Sequence, residues 1–150
     1  GEGLTPEQGA RPVRVPPMRG VDEDMRDWSY YMILGHNALV NRSITAMVTQ
    51  LARGERLSGR ALINPKSGVM PSAEAGPDAI QAFTSSVTDH LDAAQELGPL
   101  RGTRTSTHPV FGEFDAHRWH AMFAFHLKLH LKQAVYVVEH SQMKARSAEG

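Results

Sequence analysis

The sequence predicts an all-α domain, and three observations predict it. Apolar residues recur at helical spacing over three long stretches. Capping residues and Gly/Pro stops bound those stretches. The segments between them lack the β-branched alternation that would supply a sheet. At 150 residues the chain has the length of one domain, 1–150, enough to bury roughly 70% of its unfolded surface.

Residues 1–20 carry Pro6, Pro12, Pro16 and Pro17 among four glycines, which reads as an extended arm rather than a helix. A helix is expected over about 22–53, with Asp22 as N-cap and Gly54 as stop. At about 100° per residue, Met25, Ser29, Met32, Val40, Ser43 and Met47 fall close to His36 on one stripe. Gly35 inside this helix is unfavourable by about 1 kcal/mol against Ala. Residues 54–76 read as a long connection. Pro77-Asp78 opens a second helix over 77–97 with Ile80, Phe83, Val87, Leu91 and Ala94 on one face, ended by Gly98-Pro99. After a loop over 99–114, Asp115 caps a third helix over 115–140. Trp119, Met122, His126, His130, Gln133, Val137 and His140 share its inner stripe, and Lys128 and Lys132 face water.

Composition excludes several function classes. Sixteen basic residues balance 16 acidic ones, so the basic excess of a nucleic-acid binder is absent. No apolar run has the ~18 residues of a membrane span, and no signal-peptide core opens the chain. The absence of cysteine removes disulfides, thiolate ligands and a Cys nucleophile. With no sign of export, the expected location is cytoplasmic, with neither nucleic acid nor membrane as partner.

Histidine is the unusual residue: eight in all, six of them after position 107. His126 and His130, at i and i+4, project from one helix face and can reach one metal ion. His36, central on its own stripe, could stand opposite them if the two helices pack antiparallel. Three neutral imidazoles with water completing the shell suit zinc, nickel or iron. Against this stands the simpler reading of satisfied core histidines, although the mostly apolar surroundings offer few groups to satisfy them. Position 127 is Leu, so the His-Glu-x-x-His arrangement of zinc proteases is excluded; so is a di-iron site, for want of Glu-x-x-His. His90 is a reserve ligand. His120 is a candidate proton shuttle, with a polar boundary residue as the plainer reading. Trp28 and Trp119 are core.

The run His108-Pro109-Val110-Phe111-Gly112, then Trp119-His120, His126, His130 and Gln133, resembles the DinB-like superfamily, including its YfiT-like metal hydrolases. Arg26-Asp27-Trp28-Ser29 through His36 to Val40-Asn41 resembles that family's ligand-bearing helix. The resemblance implies an up-down four-helix bundle with one divalent metal on His36, His126 and His130, Gln133 steadying a ligand or bound water from behind. It also implies hydrolase or thiol-transferase chemistry on a small-molecule substrate; the placement of His120, apart from the resemblance, makes it the candidate acid/base residue. The rival is a non-catalytic stress or interaction protein whose metal or histidines are structural. The family's first helix would precede Gly3–Arg14, and residues 1–20 do not supply it. An apolar groove is therefore expected, covered by a second copy in a two-fold dimer or by the arm folding back with Val13, Val15 and Met18.

Overall fold

The computed structural model describes residues 3–55, 68–101, 104–108 and 110–148, with side chains to 143. Most of the long connection, and Pro109 of the His108–Gly112 run, lie outside the described residues. The elements are α1 (Pro6–Gly9), a 3-10 turn (Glu23–Met25), α2 (Tyr30–Ala52), α3 (Asp78–Leu97), β1 (Ser106–His108), β2 (Gly112–Phe114) and α4 (Ala116–Ala148). The fold class is all-α, as the sequence predicts, and among the described residues three helices are long. Two compact units divide the chain, one of residues 1–37, 71–83 and 126–150, the other of 38–70 and 84–125.

The first unit contains the arm. It is not wholly extended: Thr5 caps a single helical turn through a capping box with Gln8. Gly9 lies so close to Tyr31 that an added Cβ would stand 2.3 Å from the ring. The arm then pairs with the segment before α2, Val13 N–H donating to Trp28 O (3.2 Å) and Val15 N–H to Arg26 O (2.9 Å). Val13 and Val15 are buried and Met18 half-buried, so the arm does fold back. That pairing corrects the expected start of the first long helix. Residues 22–29 form a 3-10 turn and an irregular stretch, because the carbonyls of Arg26 and Trp28 are spent on the arm. The helix begins at Tyr30, with the Ser29 hydroxyl accepting from Met32 N–H as cap. Asp22 precedes the 3-10 turn without a side-chain capping bond. Tyr31, Leu34 and Ala79 form a buried cluster flanked by Tyr30, Ala75 and Phe83.

The second unit holds the end of α2, closed by a Schellman motif in which Gly54 (φ +71°) donates to Leu51 O and Glu55 to Gln50 O. The predicted face of the second helix is rotated from the observed one. Ile80 is 45% and Leu91 55% exposed, while Ala79, Ser86 and His90 are buried. The inward stripe runs through Ala79, Phe83, Ser86 and His90, so polar Ser86 and His90 misled a reading that followed hydropathy alone. The loop over 99–114 also carries structure, a two-stranded antiparallel hairpin pairing Ser106 with Phe114. His108 Nδ1 closes its turn, accepting from the N–H groups of Val110 (3.0 Å) and Phe111 (3.1 Å). Phe111, Phe114 and Trp119 surround that imidazole. Asp115 caps α4 as predicted, accepting from Arg118 N–H, and the helix continues eight residues past the expected end.

Candidate metal centre

In the first unit, His36 from α2 and His126 and His130 from α4 come together, their potential ligand nitrogens all within 4.8 Å of one another. His36 and His130 are buried and His126 half-buried. One helical turn separates the α4 pair, so both rings leave the same face. The three rings are mutually tilted by 52° to 67°. His36 Nε2 and His126 Nε2 face each other at 3.3 Å.

Hydrogen bonding fixes which nitrogen of His130 faces the cluster. Gln133, fully buried, donates from Nε2 to the Met25 carbonyl (2.7 Å). A carbonyl can only accept, so the amide orientation is settled and Oε1 is the atom facing His130 Nδ1 at 2.9 Å. His130 therefore carries its proton on Nδ1 and presents the Nε2 lone pair. The irregular stretch before α2 is what frees the Met25 carbonyl for this bond. Trp28 covers the back of the cluster, its ring centre 4.9 Å from that of His36 and 6.3 Å from that of His130.

Electrostatics point the same way. Burial, then the neighbouring His130 and His36, holds His126 down to about 3. Burial also lowers His130, partly offset by Gln133 and Asp22. At neutral pH His126 and His130 are therefore uncharged imidazoles, the form that binds metal. The fit is tested by the facing Nε2 atoms. Ligand nitrogens on one tetrahedral ion, each about 2.0–2.1 Å from it, lie roughly 3.4 Å apart, close to the 3.3 Å between His36 and His126. His126 Nδ1 is buried with no hydrogen-bond partner among the described residues. The residues fit a divalent ion.

A cleft of about 300 Å³ adjoins the cluster, with His130 in its wall beside Tyr30, Asn37, Phe83, Lys128 and Leu131. A model of the DinB superfamily matches residues 2–134. The chain belongs to the DinB superfamily. Neither a curated protein nor a solved structure matches it. The three histidines expected from the sequence resemblance are the set found together here.

The other histidines are accounted for separately. The reserve ligand His90 is not in the cluster; it bonds to Thr45 and to His120. His140 donates from Nδ1 to the Tyr136 carbonyl (2.8 Å) and stacks on that residue's ring. Trp28 and Trp119 are core, as expected. Sequence reading missed the Met25 carbonyl behind Gln133, because backbone groups leave no trace in residue type. It also missed the cleft. No helix of the described residues is long and apolar enough to cross a membrane.

Proposed function

We propose that this protein is a metal-dependent enzyme of DinB type, with one divalent transition metal on His36, His126 and His130 and hydrolase or thiol-transferase chemistry on a small molecule. The observation that carries the reading is convergence of three imidazoles, one of them locked in the metal-binding tautomer by Gln133. When bound, such an ion polarises a substrate or makes a coordinated water or thiol more acidic. Gln133 holds the His130 ring and Trp28 keeps water from behind the cluster. The cleft offers apolar walls from Ile33, Leu34 and Leu127, with Lys128 as the cation for an acidic substrate group. His120 is the proposed acid/base residue.

Elemental analysis of the purified protein tests this. About one zinc, nickel or iron ion per chain is expected, lost in His126→Ala. Equal metal content in both would sink the ligand assignment. For assembly the proposal is a two-fold dimer through apolar helix faces, supported by Leu131 and Val135 of α4, 60% and 47% exposed.

A further inference from the structure

The second unit holds another pair of histidines, and its hydrogen bonds run in one direction only. The Thr45 hydroxyl donates its single proton to the Asn41 carbonyl at 2.8 Å. Facing His90 Nδ1 at 2.9 Å, the same oxygen can then only accept. His90 is thus the Nδ1–H tautomer, and its Nε2 is a lone pair. That lone pair meets His120 Nδ1 at 2.8 Å. The proton of this contact belongs to His120, whose Nε2 is left with the free lone pair and no hydrogen bond among the described residues.

The contact is a hydrogen bond and not a collapsed metal site. The two rings are within 12° of coplanar with centres 5.0 Å apart, the separation reached when their nitrogens meet head-on at 2.8 Å. An ion between head-on nitrogens would push them to about 4 Å, twice the usual metal–nitrogen bond. His90 is fully buried, its face stacked on Phe123 at 3.8 Å. Burial first, then the neighbouring His120, lowers it to about 4, which keeps it the acceptor at neutral pH. His120 is half-buried.

We propose that His120 is a proton-accepting residue, its Nε2 lone pair held outward by a one-way chain through His90 and Thr45 to the Asn41 carbonyl, and that it takes the proton of a weakly acidic hydroxyl or thiol. The proton moves from the ligand's O–H or S–H to Nε2, leaving an oxyanion or thiolate beside an imidazolium that still donates from Nδ1 to His90. His90 and Thr45 are positioning residues. None of the three is a metal ligand, so the proposal stands or falls independently of the metal centre.

Nitrogen NMR of histidine-labelled full-length protein in chelator reads the tautomers directly. In the wild type, His120 Nδ1 is expected as the protonated nitrogen and Nε2 as the bare one. Thr45→Val removes the acceptor, so His90 turns to Nε2–H and the His120 tautomer reverses, while Thr45→Ser keeps the wild-type pattern. Added para-nitrophenol, which is coloured only when ionised, is expected to ionise at lower pH with wild type and Thr45→Ser than with Thr45→Val. A wild-type His120 bearing its proton on Nε2 overturns the chain even if Thr45→Val fails to fold. An unchanged tautomer in folded Thr45→Val overturns the role of Thr45. Identical nitrophenol titrations for wild type and His120→Ala overturn the ligand class.

Discussion

Acid should unfold the metal-free protein through histidines that cannot take up protons while it is folded. His126 is held down to about 3 by burial and by the two histidines beside it, whereas in the unfolded chain it titrates near 6.5. Above about pH 6.5 both states are neutral there and the shift contributes nothing. As pH falls from about 6.5 towards 3, the unfolded chain gains a proton that the folded one refuses. Stability then drops by about 1.4 kcal/mol per pH unit for this one group, levelling off below 3. At pH 5 the loss is about 2 kcal/mol, a figure insensitive to the folded value so long as that value lies well below 5. His90, His130 and His108, all lowered by burial, act in the same direction. Against a domain stability of about 5–15 kcal/mol, this is a large fraction. Urea denaturation at pH 7 and pH 5 with chelator present, followed by circular dichroism, measures it. Equal stability at both pH values would refute burial of neutral imidazoles, and His126→Leu should reduce the slope by about one proton.

Gln133→Leu leaves all three proposed ligand histidines in place but frees the His130 ring, so metal affinity should fall about 10–100-fold. Competition with a coloured chelator reads the change, and unaltered affinity would remove Gln133 from the site. Gly35→Ala should stabilise the protein by about 0.5–1 kcal/mol, since among the described residues an added Cβ would meet only Pro71, at an ordinary 3.7 Å; a lower melting temperature would contradict this. Sedimentation over a wide dilution series should show a dimer that dissociates, with a melting temperature that rises with concentration. A monomer of 16.5 kDa throughout would refute the dimer.

Features set by local spacing were legible in the sequence. His126 and His130 share a face because helical periodicity puts i and i+4 together, and Asp115 caps α4 because a short acceptor side chain precedes the helical run. Gly54 ends α2 for an equally local reason. What failed depended on distant partners. The start of α2 moved from 22 to 30 because Val13 and Val15 claim the Arg26 and Trp28 carbonyls. Periodicity within residues 22–53 carries no information about that competition. On α3 the apolar letters pointed to Ile80 and Leu91, whereas the inward positions hold Ser86 and His90. A buried polar residue is invisible to hydropathy until its partners are known. Here they are Asn41, Thr45 and His120.

The two histidine groups differ in a way that residue type does not reveal. In the cluster of His36, His126 and His130 the rings are tilted and their ligand nitrogens lie within 4.8 Å of one another, so lone pairs can converge on one point. In the His90–His120 pair the rings are nearly coplanar and head-on, and a proton already occupies the line between them. Each arrangement is decided by one carbonyl that can only accept. The Met25 carbonyl fixes Gln133 and through it the Nε2 lone pair of His130. The Asn41 carbonyl fixes Thr45 and through His90 the Nε2 lone pair of His120. Reversing either polar relay would leave every histidine in place and still turn an N–H towards the position where a lone pair is needed. Gln133 and Thr45 are therefore the residues whose substitution should separate the presence of a histidine from its chemistry.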